Sequence, residues 1–293
     1  MRRSKLITPA LRHDLLEKAA TCGADVIHIE LEDGVPDDRK DAARESARAA
    51  LDEIAWDGRE VWVRINVPGS DDAARDIEVV AAGAPHAFLI PKVSGPQDVA
   101  DVAAIVAQAE RANGLPQGGI ALAAVIERIH ALASVEEVAA ADPRMIAIVL
   151  GTEDLSVEYG YRLDRVGPGL ETLYLKSRCI LAARLAGIDC IDSAYFRYRD
   201  LEGTRRAADW SAQLGFTGKT CLSPRQVPVV NEAFAPTAAE IAWANEVLAA
   251  LDQAASENLS VAVAGDMMVD APHAMQARWI LEQAATSEPE SRP

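Results

Sequence analysis

Glu30, Glu32, Asp33, Glu127, Glu153, Asp154 and Asp192 each stand at or just beyond the end of a short apolar run. Only Arg64 and Lys92 are basic residues in comparable places. Carboxylates gathered in one pocket repel one another unless a cation sits among them. Oxygen donors with no His or Cys nearby suit Mg2+, which takes one or two carboxylates and fills its other positions with water or substrate oxygens. Glu127 and Asp154 are the suitable pair of ligands. The alternative for any one of these acids alone is a solvated loop carboxylate. Arg64 lies inside Val61-Trp62-Val63-Arg64-Ile65, where a guanidinium is costly unless its planar fork binds a carboxylate. That carboxylate is either a substrate's or one of the acids just named.

The elements that must position these groups alternate along the chain. Short β-rich runs fall at 5–8, 25–31, 60–65, 87–90, 119–126, 145–150, 189–192 and 217–222. Ala-rich stretches with helical spacing lie between them, among them 10–21, 37–54, 96–113, 130–141, 170–186 and 199–214. Strands alternating with helices give a parallel sheet, and eight such units in this length predict a closed (β/α)8 TIM barrel over 1–235. An open doubly wound sheet is the alternative. In a barrel the reactive side chains gather where strands end, at the C-terminal face. Charge crowded at nearly every strand end is therefore the mark of an enzyme, because unused buried charge is expensive.

Beyond 235 the pattern changes to a C-terminal helical appendage, 236–293. Thr237 and Glu240 have the spacing of a capping box for a helix through about 252. VAVAGDMMVDAP at 261–272 reads as an apolar hairpin or loop, a last helix covers about 273–286, and the tail from about 287 is expected to be disordered.

The 293 residues carry a formal net charge of -16. Nucleic-acid and anionic-membrane binding need clustered positive charge, so both are set aside. No apolar run is long enough to cross a bilayer. The basic start, Met-Arg-Arg-Ser-Lys, has no apolar stretch after it and does not read as a signal peptide. Cys22, Cys179, Cys190 and Cys221 form no CxxC pair and read as reduced thiols of a cytoplasmic protein. GFTGKT at 215–220 is not a phosphate loop, since Gln213 occupies the place of its first glycine. The five histidines show no ligand spacing.

IELEDGV (29–35), VRIN (63–66), IPKV (90–93), IE (126–127), GTEDL (151–155), GFTGK (215–219), SPRQV (223–227) with Asn231 and Pro236, and GDMMVDAP (265–272) occur in order across the chain. Together they resemble the HpcH/HpaI aldolase/citrate lyase family, especially its citrate lyase beta-subunit-like and malyl-CoA or citramalyl-CoA lyase members.

The resemblance implies a TIM barrel, commonly a homotrimer or dimer of trimers. It further implies Mg2+ and a CoA thioester, and a carbon–carbon bond made or broken between an acetyl or propionyl thioester and a 2-oxo acid. By motif, Glu127 and Asp154 match the metal ligands and Arg64 the residue that holds the oxo-acid carboxylate. Glu32 and Asp33 match the acids near the metal waters, Gly151 and Thr152 line the oxo-acid end, and Asp270 matches a carboxylate contributed by a neighbouring subunit. Arg12, Lys5 and Lys92 are candidate CoA contacts. The chain departs from the family at Pro9-Ala10-Leu11-Arg12, where a Pro-Gly-Asn-Arg-Pro-like loop is usual, and at Ser223-Pro224, where His-Pro is usual. Both regions approach the nucleotide in relatives.

Three other functions fit less well. A citrate lyase beta subunit would act on a carrier-protein thioester, and such subunits often lack the late Asp-containing block. A non-catalytic regulatory barrel binding metal or CoA would not need Arg64, Glu127, Asp154 and Asp270 together. A metal-dependent aldolase of free hydroxy acids would typically lack the appendage.

Overall fold

The computed structural model describes residues 1–166 and 169–287. Its first compact unit, Arg2–Asn231, is a closed barrel of parallel strands in sequential order. The strands are β1 (Ser4–Pro9), β2 (Val26–Glu30), β3 (Glu60–Arg64), β4 (Ala87–Ile90), β5 (Ala121–Ile126), β6 (Met145–Leu150), β7 (Asp189–Asp192) and β8 (Gly218–Cys221). Closure is made by β1 on β8, with Ser4 opposite Lys219 and Leu6 opposite Cys221. That pairing settles the choice between a barrel and an open sheet. The fold is the (β/α)8 TIM barrel.

Around it run α1 (His13–Ala20), α2 (Lys40–Glu53), α3 (Asp71–Val80), α4 (Pro96–Ala112), α5 (Ile129–Ala133), α6 (Val135–Ala139), α7 (Thr152–Tyr159), α8 (Leu173–Ala186), α9 (Leu201–Leu214) and α10 (Gln226–Ala233). The stretch 130–141 is two short helices, broken at Ser134. Helices α3, α7 and α10 lie outside the stretches read as helical. Ser70 caps α3 by accepting the Ala73 N–H, a start signal that the sequence does carry. Asp76 of α3 is fully buried. Its carboxylate accepts the backbone and side-chain N–H groups of Asn66 and a 2.6 Å bond from Arg44 Nε, so the end of β3 is tied to two helices.

Strand residues alternate between the barrel interior and the helix layer. Val26, Trp62, Leu89, Val125, Val149 and Ile191 share the interior cluster. In register with them, His28 is opposite Trp62 and Glu30 opposite Arg64, so this polar quarter of the interior lies next to the apolar one. Asp192 follows Ile191 and turns the other way. Its Oδ2 receives Lys219 Nζ at 2.7 Å, Lys176 Nζ at 3.0 Å and Ser211 Oγ at 2.5 Å. Burial opposes its charge, but Lys219 and Lys176 hold the carboxyl well below the usual carboxylate range. Asp192 is thus a strut between barrel and helices, away from the other strand-end acids. Asp192→Ala would leave two buried lysines without a counter-charge, at a cost of about 3–5 kcal/mol. A thermal melt should show roughly 10 °C lost; an unchanged midpoint would refute the strut.

The second unit comprises Met1 and the chain from Glu232. It contains α11 (Ala238–Ser256), a hairpin of β9 (Ala262–Ala264) and β10 (Met267–Val269), and α12 (Ala271–Ser287). Thr237 and Glu240 form the expected capping box. The hairpin turns through Gly265, whose φ of 59° suits a two-residue connection. Ala244, Val247, Ala264, Val269, Ala277 and Ile280 make this unit's core, while Val263, Met268 and Met275 are exposed. The tail beyond 287, expected to be disordered, lies outside the described residues. All four cysteines are unpaired. Among the described residues no helix is long and apolar enough to cross a membrane.

Candidate active site

The strand ends of β2 to β6 bring most of the singled-out residues together. Glu30 closes β2, and Glu32 and Asp33 follow it. Arg64 closes β3. Its Nε donates to Glu30 Oε2 at 2.7 Å, and its Nη2 lies 3.0 Å from Glu32 Oε2 and 3.8 Å from Asp33 Oδ2. Arg64 Nη1 donates no hydrogen bond among the described residues. The guanidinium is therefore paired within the protein along one edge and open along another, so both readings of Arg64 retain support. Burial works against the charge of Glu30, but contact with His28 and the attraction of Arg64 outweigh it and hold its carboxyl down at about 2.

Lys92 follows β4 with φ of 50°, a left-handed conformation that strains a residue with a Cβ. Three bonds hold it there. Its Nζ donates to Glu32 Oε1 at 2.5 Å and Asp33 Oδ1 at 2.7 Å, and its backbone N–H donates to Glu127 Oε1 at 2.7 Å. Strain of this kind collects at functional sites. Burial disfavours the Lys92 ammonium, yet the bonds to Asp33 and Glu32 raise its pKa above the ordinary lysine value.

Glu127, just past β5, is buried. Burial pushes its carboxyl up to about 8; Arg64 and the Lys92 N–H oppose the rise, and Asp154 and Glu32 add to it. Its Oε2 takes no hydrogen bond among the described residues. A Cβ placed on Gly151 would fall 2.6 Å from Glu127 Cβ and 2.7 Å from that oxygen, so only glycine leaves room for the carboxylate there. Asp154 sits in the first turn of α7, exposed, and it raises the proton affinity of Glu127 by repulsion.

Two carboxyl groups whose negative charges repel each other, one of them buried with an oxygen that takes no hydrogen bond among the described residues, fit a hard divalent cation such as Mg2+, which would favour ionisation of both. No group of three or more His, Cys, Asp or Glu side chains is arranged for a metal among the described residues.

Other residues fall elsewhere. Glu153 is paired with Arg165 in the periphery. Arg12 is exposed and bonded to Asp14. Lys5, taken as a candidate CoA contact, is a correction: β1 places it inside the barrel, 2% exposed and 2.9 Å from His28 Nδ1, where no nucleotide reaches it. His28 and Glu30 alternate with apolar neighbours in β2, a period-two signal that could have marked them as one interior face. A cavity of about 460 Å3 beside β6 and β7, lined by Lys176, Tyr195, Arg206 and Trp210 among others, touches neither Arg64 nor Glu127. Within the second unit, Asp270 Oδ1 lies 2.6 Å from His273 Nδ1, immediately before α12.

Comparison with known proteins supplies the rest. The profile of HpcH/HpaI aldolase/citrate lyase matches residues 3–224. The chain belongs to that family. With the membership comes the enzyme class, a carbon–carbon lyase. The chain is similar to a (3S)-malyl-CoA thioesterase of Cereibacter sphaeroides, 35% identical over 96% of this chain and 94% of the relative. It is also similar to the L-malyl-CoA/beta-methylmalyl-CoA lyase of Rhodobacter capsulatus, 34% identical over 97% and 95%. The citrate lyase subunit beta of Escherichia coli is 33% identical over 98% and 94%. Among solved structures, a CitE protein of Mycobacterium tuberculosis in complex with magnesium, acetoacetate and coenzyme A superposes with a TM-score of 0.79, at 30% identity over 97% of this chain and 98% of the other. The late block was expected to separate CoA lyases from carrier-protein subunits. The alignment with the E. coli subunit spans 98% of this chain.

Proposed function

We propose that this protein is a Mg2+-dependent lyase that cleaves, or forms, a short 3-hydroxyacyl-CoA such as malyl-CoA or citramalyl-CoA, giving acetyl-CoA and a 2-oxo acid. The observation that carries the reading is the open Nη1 edge of Arg64 in the same charged cluster as the free Oε2 of Glu127. An arginine edge binds a carboxylate, and the neighbouring acids would hold Mg2+. Relatives that act on malyl-CoA, and a CitE structure containing magnesium and coenzyme A, support the same substrate class.

Glu127 and Asp154 would hold the ion. When bound, Mg2+ would polarise the substrate's hydroxyl or carbonyl oxygen and ease loss of its proton. Arg64 orients the oxo-acid half through its carboxylate. Gly151 and Thr152 line that end, and Glu32 and Asp33, braced by Lys92, keep the surrounding field negative. In cleavage the hydroxyl proton leaves to a base, the carbon–carbon bond breaks, and the thioester half departs as an enolate. Asp270 of a neighbouring subunit protonates the enolate carbon; in condensation it removes that proton. The second unit would thus cover another copy's site in a homotrimer or dimer of trimers. Arg12 and Lys92 would face the CoA end, and the setting would be cytoplasmic.

The test is a panel of 3-hydroxyacyl-CoAs with glyoxylate, pyruvate, malate and free CoA measured separately. Oxo acid with acetyl-CoA supports the lyase; free CoA with the intact hydroxy acid would identify a thioesterase instead. Within that assay Arg64→Lys keeps the charge but loses the planar fork. It should lower kcat/KM roughly 100-fold, about 3 kcal/mol, with little change in CoA affinity. Loss of CoA binding instead would make Arg64 a nucleotide contact.

A further inference from the structure

Lys5, His28, Glu30 and Arg64 make one polar line across β1, β2 and β3 inside the barrel. Lys5 Nζ is 2.9 Å from His28 Nδ1, His28 Nε2 is 3.2 Å from Glu30 Oε2, and that oxygen accepts Arg64 Nε at 2.7 Å. Lys5 is 2% exposed and His28 1%. The reaction above uses neither. Barrel interiors are ordinarily packed with apolar side chains, and a buried ammonium with no carboxylate in contact is costly. The Glu30 carboxylate also binds forward: its Oε1 accepts the backbone N–H of Glu32 at 2.6 Å. It therefore joins Arg64 to the loop that carries Glu32 and Asp33.

We propose that Lys5 and His28 are positioning residues for Arg64: by orienting Glu30 they fix which guanidinium edge stays open to the substrate carboxylate. The inference rests on the reading of Arg64 as that carboxylate's clamp.

The chemistry follows from donors and acceptors. An ammonium can only donate, so a charged Lys5 requires Nδ1 of His28 to accept and places the ring proton on Nε2. Nε2–H then faces Glu30 Oε2. The approach is within range but not aligned as a full hydrogen bond, so orientation here is by attraction or repulsion across 3.2 Å. A neutral Lys5 amine can accept instead. The ring proton can then move to Nδ1, and a lone pair on Nε2 confronts the carboxylate, which loosens Glu30 and with it Arg64.

The groups that act on Lys5 are His28, Arg64, Glu30, Cys221 and Glu127. Burial and then the Arg64 charge bring its ammonium down to about 7, against the attraction of Glu30, Cys221 and Glu127. Burial and Lys5 bring His28 down to about 3, so its ring stays neutral. The switch therefore lies near neutral pH, with Arg64 held at the acid side and released at the alkaline side.

Two measurements on the intact protein decide it. Nitrogen-15 NMR of His28 should show the Nε2–H tautomer at pH 6, giving way as pH passes about 7; Lys5→Met, or Lys5→Gln if the first does not fold, should show no such transition. Calorimetry with pyruvate in the presence of Mg2+ should show binding weakened about tenfold in Lys5→Met and His28→Leu. His28→Gln, which can accept from Lys5 and donate to Glu30, should restore it, and CoA affinity should change less than about twofold. An Nδ1–H tautomer at pH 6, undiminished pyruvate binding in Lys5→Met, or parallel loss of pyruvate and CoA would overturn the proposal. Failure of the unaltered protein to bind pyruvate or glyoxylate would overturn the oxo-acid reading instead, and the tautomer titration would still decide the relay.

Discussion

Glu127→Ala and Asp154→Ala should each lower Mg2+-dependent turnover at least about 1,000-fold, or roughly 4 kcal/mol of transition-state stabilisation. Under the proposed function these two side chains are the protein's anionic donors, and no group of three or more His, Cys, Asp or Glu side chains is arranged for a metal among the described residues. An ion that relies on two carboxylates and otherwise on water and substrate cannot absorb the loss of one. Both variants should stay folded, for different reasons. Asp154 is exposed, so its removal costs the fold little. Glu127 is buried with a carboxyl that its surroundings keep largely un-ionised at neutral pH, so removing it breaks no buried ion pair. Circular dichroism and a thermal melt separate loss of metal from loss of fold. Full activity in either variant, or activity that survives excess EDTA, would end the metal assignment.

Asp270→Ala and Arg64→Ala should each be nearly inactive alone and recover activity when mixed. If Asp270 serves a neighbouring subunit's barrel, an oligomer containing both variants includes some sites with intact Arg64 and intact Asp270. For randomly mixed trimers the recovery should be a sizeable fraction of the activity, not a trace. The exposed apolar residues beside Asp270, Val263 and Met268 among them, are what a segment that covers another surface would present. The mixing must permit subunit exchange, or the two variants must be co-expressed with different tags and the mixed oligomers purified. Inactive oligomers that demonstrably hold both variants would mean that Asp270 acts within its own chain or takes no part.

The barrel was legible because strands of a parallel sheet, buried on both faces, read as continuous apolar runs between amphipathic helices. The strand-end acids were legible because their cost demands a use. What the chain could not disclose was facing. Lys5 belongs to a short run that begins a strand, and whether it points to helices, solvent or the interior depends on its pairing with Val26 and Thr220, residues distant in sequence. The same holds for Asp192: nothing local says that Ile191, not Asp192, takes the interior side. Arg64 was expected to engage a carboxylate, and its Nε donates to Glu30. The tie that gives it one paired and one open edge comes from β2, and only the register of Glu30 against Arg64 reveals it. Helix α3 shows a different failure, since Ser70 and the acids after it announce a start that apolar periodicity alone passed over.

The glycine at 151 also bears on how substrate range can change. Any side chain there would collide with Glu127, so under the proposed function selection among oxo acids of different bulk could not be adjusted from the end of β6 without displacing that carboxylate. Glyoxylate and pyruvate differ by one methyl, a difference worth only about 1–3 kcal/mol to any pocket. Divergence toward larger or smaller substrates would then proceed through other positions that line the site. Such an enzyme would acquire new substrates by reshaping its walls while its floor stays fixed.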